Sequence, residues 1–236
     1  MSAIQQVLLA EGGGSSSGVV ACLLHFDGTG SSFVDATGKT CTAFGTATQS
    51  ATQSVFGGKA LDLNSGAGRV EVADSTDFDF GTGAFLIEWR EYRTANTDYQ
   101  NPFSRGYNVP GGIFLQSQSP GSNDKNLYFM DGSGVAQNIL GVTTGASVLN
   151  VWTAWAVQRD SSGVIRVFKN GVQIAFSGGG TYNQLSLGVR APWVWGADSA
   201  SSYWVRGYID EARVQKGVAP YTGSGYTPAT SAFTYP

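Results

Sequence analysis

Beyond residue 18 the chain runs in short segments in which apolar and polar side chains alternate, each bounded by Gly, Asn, Asp, Ser or Pro. A period of two sends successive side chains to opposite faces of a strand, so these segments predict β-structure with one face buried. They fall at residues 19–27, 60–63, 69–73, 84–92, 113–116, 127–130, 152–158, 165–169, 172–176, 185–189 and 204–214. The clearest is 84–92, where Phe85, Ile87 and Trp89 alternate with Glu88 and Arg90, placing the apolar set inward and the charges outward. Residues 60–63 and 69–73 read as a pair across the turn Asn64-Ser65-Gly66. Asn170-Gly171, between two alternating runs, predicts a two-residue hairpin because both residues accept the positive φ of a type I′ turn. In GYIDEARV, residues 207–214, the alternation fails: Tyr208, Asp210 and Ala212 share one face and Ile209, Glu211 and Arg213 the other. A polar group there must be buried or bridged, and an ion pair from Arg213 to Glu88 or Asp27 is expected.

About a dozen strands exceed the roughly seven of an immunoglobulin sandwich, so the pattern predicts an all-β, antiparallel sandwich of two large sheets. No repeat of fixed period suggests a solenoid or propeller. Residues 220–236, rich in Pro, Tyr, Thr and Ser, are expected to lie as an extended strap over the sandwich edge.

The first 18 residues differ. Ile4, Val7, Leu8 and Leu9 form a short apolar patch, followed by an almost pure Gly/Ser stretch. The Gly/Ser part is a flexible linker, and the patch is too short to be a stable isolated helix. It reads as a docking peptide that attaches residues 19–236 to a partner, with a disordered terminus of no role as the alternative. Its lack of a basic start, a long apolar stretch and a cleavage site points to synthesis in a cytosol without Sec export.

Composition sharpens this picture. Charged residues make up 13% of the 236, about half of the roughly 25% usual in globular proteins, and Gly numbers 33, which suits strands and turns and predicts little helix. The net charge of -3, with 14 scattered Lys and Arg, excludes an extended positive surface for nucleic acid. No apolar run approaches the roughly 20 residues of a membrane-spanning helix. Cys22 and Cys41 read as free thiols in a chain made in the cytosol, with a bridge between them as the alternative.

Six strings in order carry a family resemblance: LLHFDG (23–28), FVDATGK (33–39), FGGKALDL (56–63), DFDFGTGAFLIEW (77–89), RVFKNG (166–171) and GYIDEARVQKGVAPYT (207–222). Together they resemble the laminin-G-like jelly-roll family with a concanavalin A-like fold, in its phage-associated form. The opening MSAIQQVLLAEGGG is similar to the start of virion proteins of tailed phages. The resemblance implies a jelly roll for carbohydrate or protein recognition on a virion surface. With the apolar arm read as a docking peptide, attachment to other virion proteins, and oligomerisation, are expected through Ile4, Val7, Leu8 and Leu9. A free-standing carbohydrate-binding protein is the alternative.

Glycosidase chemistry needs two carboxylates flanking the scissile bond. The only Glu residues, at 11, 71, 88, 91 and 211, do not form the alternating acidic motif of hydrolases on this fold. The one histidine, His25, is expected to be structural, hydrogen-bonded near Asp27. A Ca²⁺ site from Asp27, Asp35, Asp74, Asp77 and Asp79 stays open, since each also suits a turn. For ligand contact the candidates are Trp193 and Trp195, which share a face if extended, with Tyr99, Tyr107 and Tyr182 in loops.

Overall fold

The computed structural model describes residues 18–96, 99–117, 125–142, 148–174, 185–198 and 202–236. Among them are fifteen strands and a single 3-10 turn, Thr76–Phe78. The strands are β1 (Val19–Leu24), β2 (Cys41–Gly45), β3 (Thr48–Ser50), β4 (Ala60–Asp62), β5 (Gly68–Val72), β6 (Phe85–Arg93), β7 (Phe103–Arg105) and β8 (Ile113–Ser117). There follow β9 (Lys125–Met130), β10 (Ala136–Val142), β11 (Trp152–Arg159), β12 (Ile165–Lys169), β13 (Val172–Gln173), β14 (Trp193–Trp195) and β15 (Gly207–Lys216). All strand pairs are antiparallel. One sheet runs β13-β12-β11-β6-β15-β4-β3, with β1 also on β15; the other runs β10-β9-β8-β7-β14-β5-β2. No described helix is long and apolar enough to cross a membrane.

The core lies between the sheets. Phe85, Ile87 and Trp89 face it from β6, as their period predicts, and meet Phe103, Phe129, Trp155 and Trp193. Trp89 stacks on Trp155 at 6.1 Å and Phe103 on Trp193 at 5.5 Å. Aromatic rings of this size supply much of the apolar burial that holds a sandwich together.

Four expectations change on contact with the structure. Residues 60–63 and 69–73 are not a hairpin: β4 pairs with β3 and β15, whereas β5 pairs with β2 and β14 in the opposite sheet. The Asn64-Ser65-Gly66 turn crosses the sandwich. Residues 185–189 form only an isolated bridge, Leu187 to Gly81. In β15 the broken alternation is a β-bulge between Asp210 and Arg213, with Glu211 at φ 46. The bulge turns Ile209, Ala212 and Val214 all into the core and sends Arg213 to Glu88, one of its two expected partners.

The strap, fourth, covers a face as well as an edge. It meets the hairpin edge, where the Tyr226 amide donates to the Gly171 carbonyl at 2.7 Å and the Gln173 amide to the Ser224 carbonyl at 2.8 Å. It then crosses the outer face of β6, β11 and β12. Tyr221 and Tyr226 stack at 3.8 Å over Leu86, Ala156 and Phe168. Glu88 and Arg90 therefore point outward as predicted yet are buried, Glu88 by Arg213 and the Tyr221 hydroxyl, Arg90 by the Ala229 carbonyl.

Candidate functional site

At the Arg93 end of the sandwich the chain after β6 and the chain before β15 lie side by side. Ahead of β15 the Asp198 Oδ1 accepts the Ser202 amide at 2.6 Å. The Asn101 amide donates to the Tyr203 carbonyl, the Val205 amide to the Gly196 carbonyl, and the Arg206 amide to the Gln100 side chain. These bonds hold Tyr203 at φ 54, a left-handed conformation that an aromatic residue adopts only when its surroundings fix it.

The result is a solvent-open cleft of about 290 Å³ lined by Tyr99, Ser202, Tyr203, Trp204 and Arg206. Tyr99, 39% exposed, meets Tyr203 edge to face at 5.5 Å. Behind them the aromatic contacts continue outside the core: Tyr203 to Tyr107 at 6.0 Å, Tyr107 to Phe114 at 4.9 Å, and Phe114 stacked on Tyr128 at 4.7 Å. Burial, reinforced by Tyr203, pushes the Tyr107 hydroxyl up to about 12, so it stays protonated. Arg206 lies over Gly66, where a Cβ would collide with its guanidinium. Rings for stacking beside a hydroxyl and a guanidinium are the donors and faces that a pyranose or furanose uses.

Of the sequence candidates, Tyr99 lines this cleft and Tyr107 supports it from behind. Trp193 and Trp195 are corrected: both have 0% exposure and pack in the core, so neither offers a face to a ligand. Alternation placed them on one face; that face is the inner one. Tyr182, and Ile4, Val7, Leu8 and Leu9, lie outside the described residues. Tyr203 and Trp204, at the end of the same aromatic segment, were missed. Their signal was a Tyr-Trp pair directly after a Ser-rich loop.

The described carboxylates singled out above are engaged within the protein. His25 Nδ1 meets Glu211 at 2.8 Å rather than Asp27, which accepts the Lys59 amide instead. Glu71 pairs with Arg69, Glu88 with Arg213 and Glu91 with Lys125. Among the calcium candidates, Asp35 accepts the Leu23 and Lys39 amides, Asp74 and Asp79 hold Arg105 at 2.9 Å each, and Asp77 pairs with Lys39. No cluster of three or more potential metal ligands occurs among the described residues. Both cysteines are free; burial raises both thiols, Cys41 to about 11.

Solved structures share this architecture. Domain 4 of AbnA, a GH43 extracellular arabinanase from Geobacillus stearothermophilus solved with arabinotriose, is 22% identical, with a TM-score of 0.62 over 87% of this chain and 96% of that one. The binding domain of Paraclostridial Mosquitocidal Protein 1 is 11% identical, with a TM-score of 0.62 over 85% of this chain and 50% of that one. The ligand binding domain of botulinum neurotoxin serotype D, solved with N-acetylneuraminic acid, is 10% identical, with a TM-score of 0.60 over 85% and 48%. The chain thus spans about half the length of these toxin domains, and at such identities the likeness establishes fold alone. No curated protein sequence matches the chain. The sequence profile of Laminin_G_3, described as the concanavalin A-like lectin/glucanases superfamily, matches residues 64–219, and with the two-sheet sandwich above it the chain belongs to that superfamily.

Proposed function

We propose that this is a non-catalytic recognition module that binds a glycan in the cleft of Tyr99, Tyr203, Trp204 and Arg206, displayed on a phage virion by its N-terminal arm. The observation that carries the binding reading is the cleft: three aromatic residues, a serine and an arginine, open to solvent and assembled by loops fixed on a rigid sandwich. The solved relatives named with arabinotriose and N-acetylneuraminic acid support the same class of ligand.

The virion reading rests on the apolar arm and its Gly/Ser linker, and molecular polarity supports it. Val19 pairs with Lys216, which pairs with Phe85, whereas Gly207, next to the cleft, pairs with Arg93. The arm therefore joins the sandwich at one end of β6 and the cleft opens at the other, so attachment leaves the cleft facing away. A free-standing lectin would need no such arm. An oligomer formed through the arms would multiply weak single-site affinity by avidity.

A glycan array followed by calorimetry on its hits tests the binding reading. Tyr99→Ala and Trp204→Ala are each expected to weaken binding at least tenfold while leaving the thermal midpoint within a few degrees. Hits bound equally well by both variants would overturn the assignment of the cleft.

A further inference from the structure

Three arginines are almost completely buried in this sandwich, and in two of them every guanidinium nitrogen has an acceptor. Arg105 donates to the Ala191 and Phe78 carbonyls and to Asp74 and Asp79. Arg159 donates to the carbonyls of Gly83, Leu185 and Gly81 at 3.0, 2.9 and 2.6 Å. Arg93, with a side chain 1% exposed, has no hydrogen-bond partner for any of its three guanidinium nitrogens. Among the described residues the carboxylate that reaches it is Glu91, 3.9 Å from Nε. A buried guanidinium in this condition calls for an acceptor.

Its surroundings point to what that acceptor is. Glu91 and Arg93 share the inward parity of Phe85, Ile87 and Trp89 on β6. By the same alternation Ser117 follows Ile113 and Leu115 inward on β8, Lys125 precedes Leu127 and Phe129 on β9, and Asn101 precedes Phe103 on β7. Ser117 and Lys125 are direct partners across the β8–β9 ladder. The Ser117 hydroxyl and both polar side-chain atoms of Asn101 are likewise buried without a partner. Lys125, wholly buried, reaches Glu91 at 3.0 Å and lies 5.2 Å from the Trp155 ring.

Among the described residues the charge does not balance: two cations share one carboxylate, and of the described ionisable groups acting on Lys125 Glu91 is negative, while Arg93 and Lys169 are positive. Burial, with those cations, drives the Lys125 ammonium down to about 8. A surplus positive charge beside unpaired donors is the environment of an anion site.

We infer that the interior of the sandwich at its Arg93 end binds one small monovalent anion, a halide or a compact carboxylate such as formate, with Arg93 and Lys125 supplying charge and Asn101 and Ser117 supplying donors. The inference is independent of the glycan cleft. Thermal unfolding of the full chain at fixed ionic strength, replacing gluconate stepwise by bromide, tests it. The midpoint is expected to rise by about 3–6 °C per tenfold bromide above the dissociation constant. Arg93→Met is expected to abolish that dependence. An unchanged midpoint, or a rise that survives Arg93→Met, overturns the inference. Should Arg93→Met not fold, wild-type crystals soaked in bromide decide. An anomalous peak in contact with Arg93 supports the site; a water or a group of the chain itself on the guanidinium overturns it.

Discussion

Asp210 has no solvent exposure, and its carboxylate accepts the amides of Val55 and Phe56 through Oδ2 and that of Glu211 through Oδ1. Burial outweighs those three bonds and, with the Glu211 charge beside it, pushes the group up to about 7. The folded state then holds a proton that the unfolded chain, titrating near 3.9, has released. Between those two values folding binds protons, so stability is greatest below about pH 4 as far as this group is concerned and falls as pH rises to about 7. The expected slope reaches about 1.4 kcal/mol per pH unit in urea titrations at pH 5, 6 and 7. Asp210→Asn should remove its part of the slope at some cost in absolute stability, because an amide cannot accept on both sides. An unchanged slope in the variant would show that Asp210 is ionised throughout. At this scale the sequence was half legible. It announced that GYIDEARV buries something polar and gave Glu88 as a partner for Arg213, but a period of two cannot foresee a bulge that rotates every later residue. For the same reason it grouped Trp193 with Trp195 but not with the core, since alternation reports which residues share a face and not which face is dry.

Among the elements, the Asn170-Gly171 hairpin was the most legible, because its signal is backbone chemistry carried by two adjacent residues: φ is 50 at Asn170 and 82 at Gly171. The turn also carries a tertiary contact that no local rule contains. Gly171 accepts the Tyr226 amide, and a Cβ on it would strike the Tyr226 carbonyl and the Pro228 ring. Gly171→Ala combines a left-handed alanine, costing about 1–2 kcal/mol, with displacement of the strap from the edge of β13. The total is expected to be about 2–4 kcal/mol, read as a loss of roughly 4–16 °C in the thermal midpoint. Hydrogen exchange should quicken at the Tyr226 amide well before the amides of β6 respond, which separates a lifted strap from a globally weakened sandwich. The turn at Asn64-Ser65-Gly66 shows the limit of the same reasoning. Nothing local distinguishes a turn that returns to its own sheet from one that crosses to the other, because the difference lies in the strands waiting on each side, β15 for β4 and β14 for β5.

For the whole molecule the decisive feature is direction. The strand β6 runs nine residues from the arm's end to the cleft's end, a span of about 27 Å along the sheet, and β15 runs beside it with Gly207, next to Arg206, at the far end and Lys216 beside Val19. Two separable activities on one rigid body follow, provided that the arm and cleft roles proposed above hold. A chain lacking residues 1–17 keeps every described strand, so it should fold with a midpoint within about a degree of the full chain and bind the same glycans with unchanged single-site affinity. It should be lost from virions, and any avidity that depends on the arms should go with it. The complementary variant, Tyr99→Ala with Trp204→Ala on the full chain, should enter virions normally and lose glycan binding. Quantifying incorporation by mass spectrometry of purified particles, and affinity by calorimetry on the same proteins, gives a two-by-two result. If deleting the arm leaves incorporation intact, the attachment reading falls while the cleft reading stands. If it weakens single-site glycan affinity, the arm contributes to the ligand site, and the separation of the two ends by the length of β6 is not what organises this molecule.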